Sequence, residues 1–185
     1  GGFSLGFEMA GFKNLFALDI ESEFSKTYKK NFPKHKLIIK DICNLSENEI
    51  IELIKNTKVD VIIGGPPCQG FSIAGNIGRK FIDDPRNSLF KEYARVISIV
   101  KPSFFVMENV ARLHTHNKGE TRKEILATFE NMGYSVECKI LNSVDYGVAQ
   151  ERRRVIFIGS LNKDIKINFP KKISEKQKTV KEVIS

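Results

Sequence analysis

Cysteine is scarce in this chain of 185 residues: Cys43, Cys68 and Cys138 are far apart and odd in number. That argues against a disulfide framework and suits a reducing compartment. No CxxC occurs, and the one close pair of metal-ligand types, His114 and His116 in LHTHNKGE, reads as a polar loop, so no metal is expected. No apolar run approaches a membrane span, and the first residues lack the pattern of a signal peptide, so no membrane partner is expected. The chain opens without Met and already inside a motif, so a fragment of a longer protein is expected. What is present is enough apolar sequence, 41%, for one α/β domain with a real core. The formal net charge of +8 suits a polyanionic partner such as nucleic acid, although seven lysines fall in residues 162–185 alone.

Short apolar runs alternate with amphipathic segments. Strands are predicted at 14–20, 36–42, 59–65, 103–109, 134–142 and 153–159. Helices are predicted at 4–10 with Gly11 as a stop, at 22–31, from a Ser46/Glu49 capping box through Asn56, at 88–100 and at 119–132. This order predicts an α/β fold with a doubly wound, mostly parallel sheet, and the alternation in YSVECKILN marks an exposed or antiparallel edge. Chemistry in such sheets sits at strand carboxyl ends. Asp19, Asp41, Cys68 and Glu108 all fall there and are expected to share one rim.

Several stretches carry chemistry. GGFSLGFEMAGF is a glycine-rich turn entering a helix, and Asp19 follows where ribose hydroxyls are gripped, but the spacing is not GxGxxG. A nicotinamide dinucleotide is therefore the second choice of ligand. GGPPCQGFS holds the thiol of Cys68 on a rigid backbone, a setting for a nucleophile. The polar stretch that follows, to Asn87, has the glycines and cations of a lid. MENV puts Glu108 at the end of an otherwise apolar strand and, paired with Cys68, suggests an acid that protonates a ring nitrogen while the thiolate attacks. QERRRVIFIG puts Arg152 and Arg154 on one strand face and Arg153 on the other.

PPCQGFS, MENV and QERRR, in that order, resemble signature motifs of the bacterial cytosine-C5 DNA methyltransferases. GGFSLGFEMAGF, KDI, FIDDPRNSLF, LNSVDYGVAQERRR and PKK with TVKEVI resemble further family segments, so the likeness covers nearly the whole chain. It implies the Rossmann-like fold of S-adenosylmethionine-dependent methyltransferases. It also implies methyl transfer from that cofactor to C5 of a cytosine flipped out of double-stranded DNA. Cys68 would be the nucleophile at C6, Glu108 would contact N3 and the exocyclic amine, Arg154 the cytosine O2, and Arg152 would orient the site. Asn109 would fix the active-site loop, and Pro67, Gln69 and Ser72 would join it in binding substrate. Gly2, Phe3, Asp19, Ile20, Asp41, Ile42, Pro67 and Leu89 would line the cofactor pocket.

The family has an aromatic residue where this chain has Ile20. The family's first strand is expected upstream of Gly1, and a target recognition domain beyond Ser185. Residues 1–160 read as a partial catalytic domain and 161–185 as a connector. A bacterial cytoplasmic protein associated with the nucleoid, working beside a restriction enzyme, is the expected setting. Three alternatives stand. The tRNA-methylating branch shares PPCQ and ENV, but Ser72 favours the DNA branch. A different RNA class, which puts its cysteine where this chain has Glu108, is disfavoured, whereas a nicotinamide-binding oxidoreductase with no use for Cys68 is a further alternative. The chain could also be half of a split methyltransferase or a silent cofactor-binding subunit.

Overall fold

The computed structural model describes residues 1–55, 57–67, 87–173 and 179–184. Backbone contacts divide the chain into two compact units, Gly1–Val59 with Ser98–Val100, and Asp60–Ile97 with Lys101–Ser185.

The first unit is built from helix α1 (Gly2–Met9), strand β1 (Ala17–Asp19), helix α2 (Ser22–Asn31), strand β2 (Leu37–Ile39) and helix α3 (Glu47–Ile54). β1 and β2 pair in parallel, Ala17 with Leu37 through Asp19 with Ile39. Both strands are shorter than the apolar runs 14–20 and 36–42, because their pairing extends over only three residues each. Gly11 does lie just past α1, at φ +88°, where a side chain would be strained. The capping box is formed: Ser46 Oγ accepts from the Glu49 amide at 3.3 Å, and the Ser46 amide donates to Glu49 Oε2 at 2.9 Å. Lys40 donates to Glu49 Oε1 at 2.5 Å and the Ser46 amide and hydroxyl both donate to Oε2, at 2.9 and 2.8 Å, and together these hold the Glu49 carboxyl down at about 2. Among its described residues only Ser25, Leu45 and Ile50 are buried, so they form little core.

The second unit holds the core. Its sheet has the order β3–β4–β6–β5, from β3 (Val61–Gly64), β4 (Phe104–Val110), β6 (Arg153–Ser160) and β5 (Ser135–Asn142). β3 and β4 are parallel, while β6 runs antiparallel to both of its neighbours. The edge position of β5 is the one its alternating sequence indicates. Helix α4 (Ser88–Val100), which ends in the first unit, and helix α5 (Glu120–Asn131) match their predicted spans to within a residue. Phe105, Met107, Val155 and Phe157 project to one face, and Phe90, Tyr93, Ile97, Ile125 and Phe129 from the helices bury them. Phe105 and Phe129 lie with ring centroids 4.2 Å apart. Each such fully buried side chain contributes about 1.5–3 kcal/mol. The opposite face carries Phe104, Val106, Glu108, Arg154, Ile156 and Ile158, all half-buried.

Two glycines in this unit permit close approach. A Cβ on Gly64 would lie 2.6 Å from the Tyr93 ring, and one on Gly159 would lie 1.9 Å from Phe105 Cε1. Tyr93 spans the first contact by donating its hydroxyl to the Val106 carbonyl at 3.1 Å, and burial pushes its pKa far up.

Candidate active site

The half-buried face of the sheet becomes charged at one end. β4 continues past Glu108 to Val110, because the ladder with β6 runs on through Val110 opposite Arg154. Glu108 is therefore the fifth residue of seven, not a strand terminus. It lies diagonal to Arg154, and Arg154 Nε donates to Glu108 Oε1 at 2.8 Å. Arg152, one pleat further along, places a terminal nitrogen 3.5 Å from the same oxygen. The alternation that separates Arg153 from its neighbours holds, and the Arg153 carbonyl accepts from Arg154 Nη1 at 2.9 Å. The start of β6 is braced by the Arg152 amide on Asn142 Oδ1 at 3.1 Å and by Ser143 Oγ on the Gln150 carbonyl.

Glu108 Oε2 accepts no hydrogen bond among the described residues. It faces Gly65, where a Cβ would come within 3.3 Å of it. The glycine pair of GGPPC is thus explained twice, by the Tyr93 ring beneath Gly64 and by the carboxylate beside Gly65. The sequence showed the glycines but not these partners. The carboxylate is 22% exposed, enclosed enough for its charge-assisted bonds to count and open enough to meet a ligand.

Asn109 points to the other face and is 5% exposed. Its Nδ2 donates to the Pro66 carbonyl at 2.9 Å, and its Oδ1 accepts from the Val110 amide at 2.9 Å. The backbone two residues before Cys68 is therefore tied to β4. Pro67 is exposed and Leu89 half-buried. Cys68, Gln69 and Ser72, with the expected lid, lie outside the described residues.

The residues expected to line a cofactor pocket occupy the first unit, apart from Pro67 and Leu89. Gly1 caps α1 at its amino end, and Gly2 and Phe3 form its first turn. Asp19 Oδ1 accepts from the Glu21 amide at 2.9 Å, and Asp41 Oδ1 from the Cys43 amide at 2.9 Å. In each carboxylate Oδ2 has no hydrogen bond among the described residues. Ile20 is 59% exposed and Ile42 half-buried.

Past β4, His114 Nε2 lies 3.0 Å from Arg122 Nη1 and His116 Nδ1 2.7 Å from Thr121 Oγ1. Burial, aided by Arg122 and Arg112 respectively, lowers both imidazole pKa values. These histidines brace a turn in which Asn117 and Lys118 have positive φ. No group of three or more potential metal ligands occurs among the described residues. No helix among them is long and apolar enough to cross a membrane.

Known proteins resemble this chain along most of its length. The type II methyltransferase M1.HphI of Haemophilus parahaemolyticus is 53% identical over 184 residues, covering 100% of this chain and 49% of that protein. M.FnuDI of Fusobacterium nucleatum is 44% identical over 181 residues, covering 96% and 50%. The chain therefore spans about half the length of the curated relatives it matches. A prophage-encoded E. coli protein, named for DNA modification methyltransferase activity, superposes with a TM-score of 0.81 at 32% identity, covering 100% of this chain and 51% of that one. The Dnmt2 methyltransferase of S. pombe gives 0.68 at 25%, covering 91% and 50%. The family model for C-5 cytosine-specific DNA methylase matches residues 1–185, and to that family, with its Rossmann-like methyltransferase fold, this chain belongs.

Proposed function

We propose that the protein containing this chain methylates C5 of a cytosine flipped out of double-stranded DNA, with Cys68 as the covalent nucleophile. The observation that carries this reading is the charged end of the sheet. Glu108 is clamped by Arg154 on one oxygen and open on the other, beside the tethered backbone that leads into Cys68.

Cytosine C5 is a poor nucleophile. Addition of the Cys68 thiolate to C6 makes an enamine of the ring and turns C5 nucleophilic. Glu108, in its acid form, gives the proton on its open oxygen to N3 as the addition places negative charge on the ring, and the carboxylate left behind accepts from N3–H and the exocyclic amine. Arg154 reaches the cytosine O2 while still bonded to Glu108, and Arg152 orients both. Asn109 holds the Pro66 backbone so that the thiol arrives at a fixed height. Once C5 carries the methyl group, a base removes the C5 proton and the thiolate leaves C6, which restores aromaticity and the free enzyme.

The first unit fits S-adenosylmethionine by its donor set. The outward oxygens of Asp19 and Asp41 suit ribose hydroxyls and an exocyclic amine. Ile20 and Ile42 offer apolar surface to a purine face, and Gly2 and Phe3 offer main-chain amides at the start of α1. The bound cofactor would supply an electrophilic sulfonium methyl group.

Flipping the base costs a few kcal/mol, which phosphate contacts of a basic protein offset. Residues 161–185 then lead toward a segment that reads the DNA sequence, in a bacterial cytoplasm, on the nucleoid, beside a restriction enzyme.

The test is covalent trapping. The full-length protein, S-adenosylmethionine and duplex DNA carrying 5-fluorocytosine in varied contexts are mixed, because fluorine blocks the final elimination. A denaturation-stable adduct mapped to Cys68 is expected. No adduct on any duplex, with an adduct on tRNA instead, would overturn the choice of substrate.

A further inference from the structure

Helix α1 is tied to the rest of its unit by a ring of four side chains that the chemistry above does not use. Ser4 and Glu8 lie one turn apart on the same face. Ser4 Oγ is 2.9 Å from the Tyr28 hydroxyl, and Glu8 Oε1 is 2.7 Å from His35 Nε2. The Tyr28 hydroxyl closes the ring at 2.9 Å from His35 Nδ1. The His35 side chain is only 7% exposed, so both of its nitrogens find their partners inside the protein. A carboxylate only accepts, so Nε2 carries the hydrogen. In the neutral imidazole the donors then run in one direction, Ser4 to Tyr28, Tyr28 to His35 and His35 to Glu8.

A second set of contacts joins the same residues to the glycine turn. His35 stacks on Phe32 with centroids 4.9 Å apart and planes 18° apart, and Tyr28 lies 4.8 Å from Phe32. The Phe32 ring edge lies against Gly1, where a Cβ would fall 2.8 Å from Cε2. One histidine therefore bears on both ends of α1, through Glu8 at its carboxyl end and through Phe32 at its amino end.

We infer that His35, with Tyr28 and Phe32, is a positioning residue for the cofactor: it sets where α1 stands and hence where Gly2 and Phe3 present their amides. This rests on the proposal that those two residues contact S-adenosylmethionine. A side chain that only held the fold would contribute to stability and leave cofactor affinity alone.

The experiment titrates S-adenosylmethionine into the full-length protein by calorimetry, with His35→Leu, His35→Gln and Tyr28→Phe beside the wild type. His35→Leu should raise Kd about tenfold, with KM for the cofactor rising in step and kcat at saturation unchanged. His35→Gln should retain the wild-type Kd, because its amide nitrogen can donate to Glu8 while its oxygen accepts from Tyr28. If the leucine variant does not fold, Tyr28→Phe replaces it, and a several-fold rise in Kd is expected. A lowered melting temperature with unchanged Kd in the folded variants would overturn the inference, as would a glutamine variant as weak as the leucine one. A wild-type protein that binds no S-adenosylmethionine would instead overturn the functional reading beneath it.

Discussion

Glu108 has its two oxygens in different surroundings, one held by arginines and one turned to Gly65. Glu108→Gln removes the charge that pairs with Arg154 while keeping the shape. We expect kcat of the full-length enzyme to fall by about 10²–10³-fold, with cofactor Kd within twofold of the wild type. Quenched-flow measurement of methyl transfer checks this, and an unchanged rate would remove Glu108 from the chemistry. His114 and His116 allow a separate test. Their folded pKa values lie below the ordinary value near 6.5, so each binds a proton more readily when unfolded. Their contribution to stability is therefore present above about pH 6.5 and is lost as pH falls through the lower folded values. The urea midpoint of the wild type should drop more between pH 7.5 and 5.5 than that of His114→Gln. Equal drops would show that the Arg122 contact does not depend on a neutral ring. At this scale the sequence was informative wherever a residue acts through its own chain neighbours. ENV and RRR mark Glu108, Asn109, Arg152 and Arg154 as candidates, and Glu108 does meet both arginines, whereas Cys68 of PPC lies outside the described residues. The sequence could not reveal Tyr93 under Gly64 or His35 against Glu8. Those partners are 29 and 27 positions away, and nothing local marks the pairing.

Secondary elements were legible where local signals agreed with tertiary ones. The Ser46/Glu49 box appears as read, and both of its reciprocal bonds form. Ser46→Ala should cost about 1 kcal/mol, as seen in denaturant unfolding of the full-length protein. A cost near zero would mean that Lys40 alone holds Glu49 and the start of α3. Strand lengths were less legible. The run NLFALDI is apolar over most of its length, but only Ala17–Asp19 joins a ladder. Apolar sequence marks burial, whereas the extent of a strand depends on what pairs with it. At Glu108 the reading was close: the strand predicted at 103–109 already passes the carboxylate, and the antiparallel ladder with β6 carries it one residue further, to Val110.

Across the whole molecule, burial is unequal. Among the described residues, the second unit owns the cluster around Phe105, Phe129 and Phe157, whereas the first buries only Leu45 and Ile50 as large apolar side chains. Hydrogen exchange should therefore be slowest in β4 and β6, and α1 should exchange early. Uniform protection across both units would contradict that reading. The contact of Gly159 with Phe105 acts at this scale too. β4 and β6 pair with Phe105 opposite Gly159, which leaves Glu108 diagonal to Arg154. A shift of two residues would keep every side chain on its proper face and bring Glu108 directly across from Arg154. Neither hydrophobic patterning nor charge would reject that mistake. It would, however, seat Phe157 where only hydrogen fits beneath the Phe105 ring. The absent side chain at position 159 thus proofreads the assembly of the sheet, and the carboxylate and guanidinium inherit their spacing from an error the backbone cannot make.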